Sequence, residues 1–459
     1  MPQISIRTLT FAHPGGKELF SNWSAQLDTS WKLAVVGRNG MGKSTLFGLL
    51  QGRWPFQGQI LTEAQFRVFP AEVKDGWQTG WQIAQQLCPG MERWQLEKQL
   101  HQLYMRPETI WQPWDTLSPG MQTKLQLAAL MLAEGCLLID EPTNHLDSGG
   151  RRIRADFLRR SRNGYFLISH DRDFLSACTD HTLALLPGGP MLVAGGYEEY
   201  QRQKARIDHE KQEKNEKLAR DIGRLQKSAR RTEQWSHKAE TAKKGQGKNS
   251  AGGLRPDRGY LGHKAARIMQ QSKNIQTRRQ CAINEKSGLL QDVDRVQALC
   301  LHPLAWGKRS VLRLEQAQPF RSGAPVDLVL YSSQRVAVEG ANGAGKTSLL
   351  QMAAGQLSGK GLASAAQGAV VSVMSQTVHQ MQGQLTELCA AHKIDPTRLF
   401  SILQKLYLPR ELFERDLASY SDGQKKVLLA ASLCCPAHLY IWDEPLNYID
   451  LPSRERWSR

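Results

Sequence analysis

The sequence predicts an α/β chain in which one unit occurs twice, with a long α-helical hairpin between the copies. Three observations carry this. A glycine-rich loop ending in Lys-Ser or Lys-Thr occurs at 37–45 and again at 340–348. A serine-glycine helix start and an apolar strand ending in two carboxylates also occur twice, in the same order. Lys43 and Lys346, Ser118 and Ser421, and Asp140 and Asp443 are each 303 residues apart. Three patterns at one offset mark an internal duplication.

Between the copies, 201–290 holds 23 Lys+Arg against 9 Asp+Glu, a net of +14 in a chain whose total is +17. The text is rich in Lys, Arg, Glu, Gln and Ala, all good helix formers. It is broken at 245–260 by glycine, proline and asparagine, which predicts a hairpin with its tip there. Ile207, Leu218, Ile222 and Leu225 form one narrow apolar stripe, enough for the two helices to pack on each other. A charged surface helix pair is the bland interpretation. One-sided charge favours a polyanionic partner instead.

At 459 residues with 41% hydrophobic content, each half can bury a core, and the pI near 9.6 points toward nucleic acid or an anionic surface. No run of 18 apolar residues predicts a membrane span, and the N-terminus shows no signal-peptide pattern. Eight cysteines without CxxC spacing fit a reducing, cytoplasmic setting, with neither a disulfide framework nor a zinc site.

In chain order, ISIRTLTF, WSAQLD and WKLAVVG read as strands. The last runs into GRNGMGKST and a helical LFGLLQG, the strand–loop–helix context a phosphate loop requires. Its backbone N–H groups can wrap phosphates at a helix N-terminus. Lys43 is placed to bridge β- and γ-phosphates and Ser44 to ligate Mg²⁺. Residues 70–116 carry Trp77, Trp81, Trp94, Trp111 and Trp114, expected to pack a small helical subdomain. LSPGMQTKLQLAALML opens a helix at Ser118. CLLIDEPTNHLD is a strand ending in Asp140, which can hold Mg²⁺ through water, and Glu141, which can polarise an attacking water. YFLISHD places His170 after a further strand, where a γ-phosphate sensor is needed.

These residues resemble the ATP-binding cassette superfamily. GRNGMGKST and GANGAGKTS match its Walker A motif, LLIDEP and YIWDEP its Walker B, LSPGMQ and YSDGQ its signature, and LISHD its H-switch. Two cassettes with a charged linker, and EPTNHLD after Walker B, resemble the ABC-F class. YSDGQKKVLLA, EPLNYID and RPDRGYLGHKAARIM look like its antibiotic-resistance branch, similar to Lsa-type proteins.

The resemblance implies cassettes at 1–196 and 291–459 joined by a 197–290 linker, closing head-to-tail over two ATP molecules with Mg²⁺. One composite site uses Gly37, Asn39, Gly40, Gly42, Lys43, Ser44 and Thr45 with Asp140, Glu141 and His170. Ser421, Gly423 and Gln424 complete it from the other half. The second uses Gly340, Asn342, Gly343, Gly345, Lys346, Thr347 and Ser348 with Gln376, Asp443 and Glu444, completed by Ser118 and Gly120. Ser44, Asp140, Thr347, Gln376 and Asp443 are the implied metal ligands. Glu141 and Glu444 are the implied catalytic bases. The resemblance further implies ATP hydrolysis, ribosome binding near the tRNA exit site, and a linker that reaches toward the peptidyl-transferase centre. Leu254, Arg255, Tyr260 and Leu261 are tip candidates. Protection against lincosamide, streptogramin A and pleuromutilin drugs is the implied activity.

A housekeeping ABC-F translation factor, an exporter's ATP-binding subunit and a coiled-coil DNA-repair ATPase are competing readings. The arm suits neither of the last two.

The chain departs from the family pattern in three places. VFPAEV puts Ala71 where a Q-loop glutamine is expected, and the adenine-stacking position falls at Phe11 or His13. After EPLNYID only LPSRERWSR follows, so a second switch histidine, due at 473, is absent. Either the chain is truncated or its second cassette is degenerate, and an unpaired sheet edge, reduced stability and impaired hydrolysis at the second site are expected.

Overall fold

A computed structural model describes residues 3–143, 146–245, 301, 303–307, 309–319, 324–374, 383–392, 394–408, 410–419, 423–446 and 449–457. Two compact units are present, one of residues 1–200 with 296–459 and one of residues 201–295.

The first half starts with β1 (Gln3–Ala12) and β2 (Glu18–Asp28), which pair antiparallel and are joined by β4 (Gln57–Leu61) in a three-stranded sheet. Alternation in β1 buries Ile4, Ile6, Leu9 and Phe11 on one face. The main sheet has six strands. Its order is β5 (Phe66–Phe69), β6 (Cys136–Asp140), β7 (Tyr165–Ile168), β3 (Lys32–Gly37), β8 (His181–Leu186) and β9 (Gly189–Ala194), parallel except for the last. The central strands are continuous apolar runs because both faces are covered. Leu33 and Val35 face one core, with Phe47 of α1 (Lys43–Leu50) and Phe166. Ala34 faces the other, with Leu127 of α4 (Pro119–Leu130), Leu158 of α5 (Ser148–Arg160) and Leu167.

The subdomain formed by α2 (Gly80–Leu87), α3 (Arg93–Gln102) and α4 buries Ile83, Leu96 and Leu100. Here the tryptophans depart from expectation. Trp114 is buried and Trp81 packs on the core, but Trp77, Trp94 and Trp111 are exposed, Trp77 by 86%. Leucine and isoleucine fill the space between the helices, so those three indoles are left on the surface.

The second half repeats the small sheet as β11 (Val326–Tyr331), β10 (Ser310–Pro319) and β12 (Gly359–Ala365). Its helices are α8 (Lys346–Ala353), α9 (Leu385–His392), α10 (Pro396–Lys405), α11 (Gly423–Cys434) and α12 (Leu451–Trp457). The described main sheet is reduced to β13 (Val371–Met374) and β14 (Leu439–Trp442), in parallel. Residues 335–340, the counterpart of β3, form no strand, and Val336 and Val338 are 51% and 38% exposed. The reason lies in the ladder. β3 is held between β7 and β8, and residues 335–340 have no such partner strands among the described residues. Apolar text alone does not make a strand without neighbours to satisfy its N–H and C=O groups.

The second unit begins in α7 (Tyr197–Gly245), a 49-residue helix. At 1.5 Å per residue it is about 74 Å long. The tip candidates Leu254, Arg255, Tyr260 and Leu261, and the returning helix, lie outside the described residues.

Candidate nucleotide sites

The first site is built where β3, β6 and β7 end on one edge of the main sheet. After β3 the chain turns through Gly40 (φ 78°) and Gly42 (φ 88°), left-handed values that favour glycine, and enters α1 at Lys43. Nothing lies within 4 Å of where a Gly40 side chain would begin, so the loop faces open space. Lys43 is buried, and its Nζ donates to the carbonyls of Gly37 (3.0 Å) and Arg38 (3.1 Å) and to Asn39 Oδ1 (3.4 Å). Burial pushes its pKa down against the opposing pull of Asp450, Glu141 and Asp140. Ser44 donates its hydroxyl to Asp140 Oδ2 at 2.7 Å, so the two expected metal ligands touch. Thr45 Oγ1 is 3.1 Å from His13 Nε2. Phe11 is buried against Trp54, which places His13 rather than Phe11 beside the loop.

Glu141 follows β6 with φ 47°, a left-handed conformation rare for glutamate; Glu444 has φ 48° at the duplicate position. Such strain clusters at functional sites. The Glu141 Oε2 accepts the backbone N–H of His170 at 3.4 Å. His170 Nε2 lies 3.4 Å from Oε1, yet this buried oxygen has no hydrogen bond among the described residues; distance alone makes it a close contact, not a bond. Burial, reinforced by Asp140, pushes the Glu141 carboxyl up to about 8. Burial, reinforced by Lys43, pushes His170 down to about 3. In the nucleotide-free site both shifts favour the uncharged form.

Two residues missed in the sequence support this site. Gln126 of α4 is buried, donating to Ala71 O (2.9 Å) and accepting from Ala71 N–H (3.1 Å). The position that lacks a glutamine is thus held by one from the signature helix. Arg154 of α5 is fully buried and donates to the carbonyls of Pro142 and Gly120, the latter at 3.4 Å. It ties the signature glycine to the turn after Glu141. Burial lowers its pKa to about 10, still charged at neutral pH. Its place among Ile153, Ala155, Phe157 and Leu158 on α5 was the available signal.

The second loop has the same backbone. Gly343 and Gly345 have φ 80° and 90°, and Lys346 Nζ donates to Gly340 O and Ala341 O, each at 2.9 Å. Thr347 and Ser348 open α8, half-buried. Asp443 Oδ2 is buried and without a hydrogen-bond partner among the described residues, an acceptor left over that suits a cation. Gly423 and Gln424 start α11. Gln376 and Ser421 lie outside the described residues. Ser118 caps α4, accepting from Met121 N–H at 3.3 Å.

The halves meet head-to-tail at these loops. Asn39 N–H of the first loop donates to Asp450 Oδ2 at 3.0 Å, and Asn342 N–H of the second donates to Asp147 Oδ2 at 3.2 Å. Both pairs are related by the 303-residue offset. Each carboxylate also caps a helix, through Gly150 N–H and Ser453 N–H.

The family model described as ABC transporter matches residues 20–144 and 324–447, more than half of the sequence. The chain belongs to the ABC transporter family. Its α/β class with two such domains agrees with expectation. It is homologous to ABC-F proteins. It is 30% identical over 208 residues to ABC transporter F family member 3 of Arabidopsis thaliana, covering 44% of this chain but only 29% of that relative. It is 25% identical to ribosome protection protein VmlR of Bacillus subtilis, over 95% of this chain and 78% of that one. The probable ATP-binding protein YheS of Haemophilus influenzae is 26% identical, over 96% and 72%. Among solved structures, the archaeal ribosome recycling factor aABCE1 in complex with stalk protein aP1 superposes with a TM-score of 0.58 at 17% identity, covering 94% of this chain and 77% of that one, a likeness of fold. No described helix of this ABC protein is long and apolar enough to cross a membrane.

Proposed function

We propose that this is a cytoplasmic ABC-F ATPase that binds ribosomes when ATP closes its two cassettes. In this reading the cassettes span 1–196 and 291–459 and the basic linker 197–290. The observation that carries it is the reciprocal contact of the two phosphate loops with Asp450 and Asp147, since it makes nucleotide occupancy and cassette closure one event. Lys43 and Lys346 hold the terminal phosphates, and the loop N–H groups wrap the rest. Ser44 with Asp140, and Thr347 with Asp443 and Gln376, fit Mg²⁺, which neutralises phosphate charge. Glu141 and Glu444 polarise the attacking water, and His170 senses the γ-phosphate. Signature residues Ser118 and Gly120, or Ser421, Gly423 and Gln424, cap the opposite nucleotide. Hydrolysis then loosens the interface.

The basic linker suits rRNA phosphates near the exit site. Similarity to VmlR along nearly the whole chain supports the finer reading, an Lsa-like ribosome protector acting against peptidyl-transferase-centre antibiotics. Ribosome pelleting tests the reading. The Glu141→Gln/Glu444→Gln protein is expected to co-pellet only with ATP. Absence of pelleting by a soluble, ATP-binding variant would refute ribosome binding. Unchanged lincosamide and pleuromutilin susceptibility in expressing cells, with pelleting intact, would leave a housekeeping translation factor.

A further inference from the structure

The two loop-to-carboxylate contacts are duplicates, but their surroundings are not. Asp450 is fully buried and sits 2.6 Å from the buried Lys426 ammonium of α11. Lys426 also donates to Leu406 O at 2.9 Å, and Ser453 Oγ reaches the same carbonyl at 3.3 Å. The next residue, Tyr407, holds a left-handed φ of 59° and presents its ring to the guanidinium of Arg38, 3.6 Å from the ring centroid. Arg38 is the neighbour of Asn39, whose N–H Asp450 accepts. One connected unit of the second cassette thus grips two successive residues of the first phosphate loop.

The mirror positions carry almost none of this. Arg38 corresponds to Ala341, which has no cation to offer. Tyr407 corresponds to Tyr104, which keeps the left-handed φ (50°) but is 79% exposed. Lys426 corresponds to Thr123, whose hydroxyl turns back to Pro119 O in its own helix. Asp147 is only half-buried. On that side Asn342 N–H donates to Asp147 at 3.2 Å, and the charges on the carboxylate come from Lys346 and Lys124 at longer range.

We infer that Tyr407, Lys426 and Asp450 form a one-sided latch on Arg38 and Asn39, so that nucleotide on the first phosphate loop is held longer than nucleotide on the second. These are positioning residues that act through the loop backbone. A cation over a partly desolvated ring, together with a buried charged acceptor, makes the first junction stiffer and slower to open. The cassettes then part first at the Asn342 side. The inference rests on the reading of both loops as nucleotide sites.

The test is release of a fluorescent N-methylanthraniloyl ATP, followed by stopped flow from the full chain carrying Glu141→Gln and Glu444→Gln. Two phases are expected. Lys43→Ala removes the slow one and Lys346→Ala the fast one. Arg38→Ala and Tyr407→Ala each accelerate the slow phase about fivefold, the equivalent of ~1 kcal/mol at about 1.36 kcal/mol per tenfold. Combining them adds little, because one contact is lost either way. Tyr407→Phe, which keeps a ring face, restores slow release. Tyr104→Ala changes neither phase. The latch is overturned if the slow phase belongs to Lys346, if Tyr104→Ala and Tyr407→Ala act alike, or if release has one phase that Arg38→Ala does not alter. Absence of analogue binding to the parent would instead sink the nucleotide-site reading, and the latch with it.

Discussion

Lys426→Met removes the one ammonium among the described residues that contacts Asp450 directly, while keeping most of the side-chain volume; Lys43 and Arg454 act on Asp450 only through longer-range charge. Asp450 is 0% exposed, and without Lys426 its carboxylate keeps two neutral donors, Ser453 N–H and Asn39 N–H, both at 3.0 Å. Burial alone pushes this carboxyl up, but the charge and hydrogen bond of Lys426 outweigh it and hold the group at about 2. Breaking one partner from a buried pair costs about 3–5 kcal/mol, far more than the pair adds relative to an apolar replacement. A depressed pKa contributes stability above the unfolded value of 3.8, lost as pH falls through about 2. In the variant burial is offset less well and the carboxyl titrates higher than in the parent, so the defect is largest near pH 7 and shrinks in acid. Hydrogen exchange of peptides from α11 reads this locally. At about 1.4 kcal/mol per tenfold, exchange near pH 7 is expected to accelerate by roughly two to three and a half orders of magnitude. Lys426→Met/Asp450→Leu should recover more than half of the protection, since no buried charge is then left alone. Parental protection in the single variant, or a double variant no better than it, would refute the reasoning.

Two further outcomes follow from the same chemistry. Glu141, raised to about 8, keeps a proton that the unfolded chain releases above 4.5, so it makes stability fall as pH rises between those values. Glu141→Gln should flatten that limb of the urea midpoint against pH in the nucleotide-free protein; an unchanged slope would mean the carboxyl is ionised. His170, lowered to about 3, acts with the opposite sign, costing stability as pH falls below 6.5. On the arm, replacing Lys204, Lys211, Lys214 and Lys217 by Gln should make the log–log salt dependence of large-subunit rRNA binding shallower by about three, near 0.7–0.9 per phosphate contact. A slope that does not move would place the polyanion contact elsewhere.

What could be seen in the sequence was chemistry confined to short spans. The loops at 37–45 and 340–348 declare themselves because glycine, lysine and a hydroxyl must stand at fixed spacing to wrap phosphate, and the structure gives both the same left-handed turns. The strain at Glu141 and Glu444 repeats in the same way. Residues acting across long separations carry no such spacing. Gln126 reaches Ala71 over 55 positions and Asp450 reaches Asn39 over 411, and neither partner looks unusual beside its neighbours. The exposed Val336 and Val338 show the converse, since a strand-like text is only as good as the strands beside it.

The duplication itself obscured the difference between the sites. An offset that aligns Asp147 with Asp450 invites equal roles for both. Their pKa values are lowered for different reasons, Asp147 first by the Gly150 N–H, Asp450 by Lys426 against its burial. The first is a solvated helix cap that happens to meet a loop. The second is a charge whose burial is tolerable only while α11 supplies its counter-ion. Two copies of one motif thus sit on unlike supports, and support decides how readily each junction opens. The positions that distinguish them, Arg38 against Ala341 and Lys426 against Thr123, lie beside the motif residues that define the family.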